Sequence, residues 1–358
     1  MAPLFKQDAE SGLYNLNEGE QFWADVQPYL LSKGYCLRPR YTPGWKPVWI
    51  HTDIDPRWFE DAVKLPLPSV IDAQRVSDGT VVAIKWIPDA EHTRDELDVM
   101  RFLSTGDLRN DPQNHCNPLL DSFSHPSIPE GVFIVTPWLA GFDYVPLERV
   151  GEVVELLKQL IECLSFMHRN GIAHRDCTGL NIMQDIRDCF NGRRTHPIQA
   201  CYSEDIQTIY DRDPEAMPKF YFIDFGVSSR HEGPGPHLVT GIICRDRTPP
   251  ELSRTVPYDP FKLDIYLLGN HVLQKYLGRY SNLEFLRPVL LAMTNANPAS
   301  RPTADESLVL LNQALQHVLG VQLRWRLRER DETLLNVVFD DGGHLLREVG
   351  SHLRSFFS

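Results

Sequence analysis

Three short motifs supply the residue types that polar chemistry needs. Val82-Ala83-Ile84-Lys85 ends a strand-like apolar run on a lysine. His174-Arg175-Asp176 follows, with Asn181 five residues beyond the aspartate, and Asp224-Phe225-Gly226 comes third. Lysine offers a compact ammonium to an anion. Aspartate and asparagine oxygens suit a hard divalent cation, and a positioned carboxylate can take a proton from a hydroxyl. Each motif alone is common in strands and turns; the three in this order are far more specific.

The elements that must hold these residues can be read from periodicity. From about 65 to 140 the pattern is strand-like: Val70 to Val76 and Thr80 to Ile87 flank Ser77-Asp78-Gly79. Asp-Gly is a strong hairpin signal because glycine tolerates positive φ. Between this hairpin and the apolar run Val132 to Val135, the segment Asp95 to Leu103 places Leu97, Met100 and Leu103 on one helical face. After Gly151 the pattern turns helical, with Val153, Leu157, Leu160, Leu164 and Met167 in one stripe and Asn170-Gly171 as its stop. Further helices are expected at Asp264 to Leu277, Leu283 to Met293 and Thr303 to Val318, the last opened by a Thr303/Glu306 capping box.

Around this centre, residues 1–64 read as an N-terminal extension packed on the next domain. Phe22, Val26 and Leu30 recur there at helical spacing, ahead of a Pro- and Trp-rich stretch from Pro39 to Trp58. Residues 185–219 lack any period and read as a surface insertion, and 321–358 read as a charged helical tail. The fold class expected is α+β.

The balance of 36 Lys plus Arg against 48 Asp plus Glu gives a formal charge of -12, which leaves no broad basic surface for a phosphate backbone. Nucleic acid is not an expected partner. Seven cysteines, odd in number and without a CxxC pair, point to a reducing compartment rather than to zinc. No basic start with an apolar run, and no long apolar stretch, suggests secretion or a membrane span. A cytoplasmic or nuclear location without a membrane partner is the expectation.

In its three motifs the sequence resembles the eukaryotic protein kinases. The resemblance covers residues 68–318. Pro249-Pro250-Glu251 is similar to the family's Ala-Pro-Glu, and Arg301 resembles its buried ion-pair partner. Asp264-Ile265-Tyr266-Leu267-Leu268-Gly269 resembles the start of the central helix, whose aspartate ties down the catalytic loop. The wording around His174 to Met183 and Tyr221 to Gly226 is similar to kinase-like proteins abundant in basidiomycete fungi.

The resemblance implies a two-lobed protein-kinase-like domain over 65–320: a small antiparallel-sheet lobe with one main helix, 65–137, and a larger, mostly helical lobe, 138–320. It implies binding of ATP with Mg2+ and transfer of the γ-phosphate to a hydroxyl of a protein substrate, with Ser/Thr favoured by base rate. Lys85 would hold the α- and β-phosphates, oriented by Glu96, with Glu91 as the second choice. Asp176 would accept the substrate proton, and Asn181 and Asp224 would supply oxygen ligands to magnesium. The run Phe133 to Leu139 resembles the inter-lobe hinge that reads adenine, with Thr136 as gatekeeper and Trp138 beside it. His174 would pack beneath the metal motif. Arg175 would allow control by a phosphate on the segment Asp224 to Glu251, with Ser228, Ser229, Thr240 and Thr248 as candidate acceptors.

Two departures accompany the resemblance. Counted back from Val70, the family's glycine-rich loop falls on Val63, Leu65 and Pro68, and no glycine lies between Gly44 and Gly79. Pro66 and Pro68 have no N–H to give a phosphate. Thr178 stands where Ser/Thr kinases carry a lysine. A pseudokinase, using the same fold as a nucleotide-binding or scaffold module, is the alternative expectation. A small-molecule kinase is a third, disfavoured by the Pro249-Pro250-Glu251 and Arg301 pairing.

Overall fold

In the structure, a computed structural model, residues 7–343 are described except 53, 57, 58, 60, 61, 66, 90–93, 191–212, 214, 215, 334, 335 and 338. The fold is mixed α+β, and the chain divides into two units. The first comprises residues 1–97, 117–140 and 185–216; the second comprises 98–116, 141–184 and 217–358.

The first unit begins with helix α1 (Glu18–Ser32), opened by a reciprocal cap in which Asn17 accepts the Glu20 N–H and Glu20 accepts the Asn17 N–H. Two end donors are satisfied at once. Gly34, at φ +90, leads into strand β1 (Tyr35–Leu37). Strands β2 (Val70–Arg75) and β3 (Val81–Ile87) form the expected hairpin, with Gly79 at φ +71. Helix α2 (Arg94–Leu103) begins in this unit, and β4 (Asp121–His125) and β5 (Ile128–Pro137) follow. The sheet is antiparallel throughout, in the order β1-β2-β3-β5-β4.

Residues opposite one another in such a ladder share a face. One face carries Ile71, Ala73, Val82, Ile84, Phe133 and Val135, and packs with Trp23, Val26 and Leu30 of α1 in a single core. The Phe22, Val26, Leu30 stripe read from sequence is therefore a packing stripe, and burying Leu30 alone contributes about 1.5–3 kcal/mol. The opposite face carries Val70, Lys85 and Ile134 in one row and Asp72, Ala83 and Thr136 in the next.

The strand paired with β2 is thus Tyr35–Leu37, with residues 38–69 between them, rather than a segment just before Val70. This connection is anchored by buried charge. Arg40 pairs with Glu20 at 2.9 Å and Arg38 with Asp72 at 3.2 Å, all four side chains being almost wholly buried. Trp23 donates from its indole to the Pro68 carbonyl at 2.8 Å.

The second unit is built on helix α3 (Val150–Arg169), whose stripe of Val153, Leu157, Leu160, Leu164 and Met167 is fully buried. Gly171, at φ +69, ends it, and a Cβ there would strike the His231 carbonyl. Short strands follow, β6 (Ile172–Ala173) pairing with β9 (Ser229–Arg230) and β7 (Ile182–Asp185) neighbouring β8 (Lys219–Phe222). Strand β10 (Val239–Gly241) pairs with β11 (Ser253–Tyr258). Helix α4 (Pro260–Val272) starts four residues ahead of the sequence expectation because the Asp259 side chain caps the N–H groups of Phe261 and Lys262. It runs on as one π turn, Leu273–Leu277.

The expected helix from Leu283 is a 3₁₀ segment, Ser281–Leu286, before α5 (Arg287–Met293). Helix α6 (Ala304–Leu315) carries the Thr303/Glu306 capping box in both directions. The tail opens with a short helix, Gly320–Arg324, and its described residues 336, 337 and 339–343 are helical again. Arg326 then pairs with Glu332 and Asp341, so these charges bind one another instead of lining one solvated helical face. Of the 185–219 insertion, 191–212, 214 and 215 lie outside the described residues; Arg187–Phe190 form a turn that buries Cys189 and Phe190. Among the described residues no helix is long and apolar enough to cross a membrane.

Candidate functional site

In the first unit, β3 presents Lys85 on the sheet face away from α1. Its Nζ meets Glu96 Oε1, in the first turn of α2, at 2.7 Å. Glu96 is buried while Lys85 is about one-third exposed at 32 %, so the pair orients the lysine rather than sequestering it. Glu91 lies outside the described residues. Thr136, buried near the end of β5, shares the Lys85 face through its pairing with Ala83, and Trp138 is half-buried just beyond the strand.

In the second unit the loop after β6 is fixed from below by Asp264. Its carboxylate accepts the Arg175 N–H at 2.6 Å, the His174 N–H at 2.8 Å and a contact from His168 Nε2 at 3.0 Å. Asp264 is fully buried, and charge-assisted bonds of this kind are about twice as strong as neutral ones. Among the described residues only two non-glycine residues have positive φ, Arg175 at 69° and Asp224 at 63°. Such strain persists only where the surroundings enforce it, and it collects at functional sites.

Asn181 and Asp176 are clasped together. The Asn181 amide donates to the Asp176 carbonyl at 3.0 Å and to Oδ2 at 2.9 Å. Asp176 Oδ1 accepts the main-chain N–H of Arg245 at 2.8 Å. The Ile223 N–H donates to the Asn181 carbonyl at 2.9 Å, which sets the Asp224 motif beside the Asp176 loop. His174 lies buried beneath, its ring 5.4 Å from that of Phe225 and its Nε2 3.0 Å from the Ile223 carbonyl.

The donor chemistry fits a magnesium ion. With its amide nitrogen engaged on Asp176, Asn181 keeps its side-chain oxygen without a protein partner among the described residues. Asp224, which follows the Ile223 bonded to the Asn181 carbonyl, is exposed. Magnesium needs only one or two protein carboxylates and completes its shell with phosphate and water oxygens.

Arg175 is committed to main chain. Its guanidinium donates to the carbonyls of Val227 and Thr240, at 3.4 and 3.1 Å, and is buried. The segment is tethered to the loop without a phosphate. Among the candidate acceptors Ser228 is buried and donates to the His174 carbonyl. Further along, Arg301 forms a bidentate pair with Glu251, the Nη2 bond being 2.8 Å. One partner without the other would leave an uncompensated buried charge.

Cys177, inside the loop, is fully buried, and burial followed by the charges of Asp264 and Asp176 pushes its thiol well above the ordinary range. It is a packed thiol, not a nucleophile. Thr178 has a buried hydroxyl with no partner among the described residues. Gly179 beside it abuts His271, where a Cβ would come within 2.5 Å of the ring. Burial, then Lys275, lowers the His271 pKa to about 4.

Sequence reasoning missed two features. The Arg245 bond to Asp176 is made by main chain, so no side-chain pattern announces it. Strand β1 is three residues long, and Gly34 before it was its only signal. No known family's sequence profile matches the chain, and no match was found among curated proteins.

Proposed function

We propose that the chain is a two-lobed protein kinase that uses ATP and Mg2+ to phosphorylate a protein hydroxyl. Bound magnesium and nucleotide supply a phosphoryl group whose loose transition state asks chiefly for positioning and charge neutralisation. Lys85, oriented by Glu96, binds phosphate oxygens. Asp224 and the Asn181 side-chain oxygen offer the metal ligands, and Asp176, held by Asn181, receives the substrate proton. The observation that carries the reading is the 2.7 Å pairing of Lys85 with Glu96, one residue on a strand and one on a helix, in the first unit.

Phosphate transfer from radiolabelled ATP to a generic protein substrate tests it. Asp176→Asn should lower incorporation by ~10²–10⁴, and Lys85→Ala should weaken nucleotide binding. Equal incorporation by wild type and Asp176→Asn overturns the reading.

A second reading, a pseudokinase, is favoured by one observation: residues 38–69, not a short glycine loop, join β1 to β2. Backbone approach to phosphate depends on small residues and free N–H groups. No thermal stabilisation by Mg-ATP at millimolar concentration would select this reading.

A further inference from the structure

The segment that reaches Asp176 has an uneven distribution of charge. Between Ile242 and Val256 it carries two acids and three arginines, Arg245, Arg247 and Arg254. Both acids turn inward. Asp246 accepts from the Asn270 amide at 2.6 Å and from the Thr248 N–H and hydroxyl at 2.9 and 2.7 Å, while Glu251 is held by Arg301. All three arginines are exposed. Arg247 donates to the Ile242 carbonyl, and none of the three has an acidic partner among the described residues. In a chain of net charge -12 this is a local excess of positive charge. Ile242, Ile243 and Val256 are exposed beside it, at 36, 41 and 63 %.

Placement ties this surface to the chemistry. The Arg245 main chain sits 2.8 Å from Asp176 Oδ1, so its side chain starts next to the point where a hydroxyl would be deprotonated. Strand pairing of Gly241 with Ser253 returns the chain and brings Arg254 back to the same hairpin. An extended peptide advances about 3.3 Å per residue, so arginines here meet positions within a few residues of the acceptor.

We propose that Arg245, Arg247 and Arg254 make this segment a docking surface for an acidic peptide, one whose acceptor hydroxyl is flanked by carboxylate or phosphate groups and an apolar residue. The assignment of an acceptor rests on the kinase reading; the preference for an acidic chain rests on the segment alone. Guanidinium groups pair with both anions through bidentate bonds, and charges at the rim act mainly on encounter and choice of partner.

The test separates the two claims by measuring binding without transfer. Fluorescein-labelled peptides of equal length, with a central serine flanked by Glu, by phosphoserine, by Ala or by Lys, are titrated with the full chain at low salt and followed by anisotropy. The Glu and phosphoserine peptides should bind at least about tenfold more tightly than the Lys peptide, with affinity falling as salt rises. The ratio of the Glu to the phosphoserine peptide identifies which anion is preferred. In Arg245→Glu/Arg254→Glu the order should reverse, while circular dichroism and melting temperature report that the fold is retained.

Equal affinity for the four peptides, or an order unchanged by the double variant, overturns the proposal. Equal competition by anionic vesicles or single-stranded DNA does so too, since the surface would then attract any polyanion. If the binding order holds and no phosphate is transferred, the docking surface stands and the kinase reading falls.

Discussion

Arg40 and Glu20 form an ion pair at 2.9 Å with both side chains fully buried, joining α1 to the chain that leaves β1. The same carboxylate also accepts from Asn17 and Tyr41. Although burial opposes its charge, bonds from Arg40 and Asn17 hold Glu20 below the ordinary glutamate range.

Removing one member should be costly. Arg40→Ala leaves a buried carboxylate without its main partner and is expected to destabilise the chain by about 3–5 kcal/mol. Urea unfolding of wild type and variant measures this. Because the folded Glu20 pKa is lowered, its contribution is complete above the ordinary carboxylate value and is lost as pH falls through the folded one. The wild-type and Arg40→Ala midpoints should therefore converge in acid.

His271 predicts a second, milder acid sensitivity. Its pKa is lowered from 6.5 to about 4, chiefly by burial. The unfolded chain takes up the proton first, so stability is full above about pH 6.5 and declines as pH falls towards 4, by about 2 kcal/mol at pH 5. His271→Leu should flatten the urea midpoint between pH 7 and 5; an unchanged slope would assign the sensitivity to other groups.

Asp264 should matter to the loop more than to the helix it sits on. Asp264→Ala strands two buried N–H groups, those of His174 and Arg175. A loss of about 2–6 kcal/mol is expected, since each orphaned buried group costs about 1–3 kcal/mol. Hydrogen exchange should show the added opening first at residues 172–181.

Thiol labelling should follow burial. Cys36 is half-buried, whereas Cys116, Cys163, Cys177, Cys189 and Cys244 are buried, with the Cys244 thiol pushed up to about 11 by burial. Of these six, iodoacetamide should modify Cys36 first in the native protein, and the others only on unfolding. Peptide mass spectrometry reads the order directly.

Local signals were the ones readable in advance. The Asp78-Gly79 hairpin, the α3 stripe and the Thr303/Glu306 box each depend on residues a few positions apart, and sequence shows such spacing directly. Helix α4 began early because a single cap, Asp259, outweighed the periodicity that suggested Asp264. Lys85 and Glu96 were nominated from family resemblance, and their contact depends on how α2 packs. The pairing of Tyr35–Leu37 with β2 bridges residues 38–69, so nothing local could foretell it.

That long-range pairing shapes how the sheet can assemble. Hairpin β2–β3 closes over the five residues 76–80, but β1 must return across a long loop, whose closure entropy delays it relative to local contacts. Until it arrives, β2 offers unpaired N–H and C=O groups along one side, a template for strands of other molecules. Shortened forms beginning after Leu37 would keep that raw margin permanently, and self-association through it is the outcome to expect when such fragments are expressed.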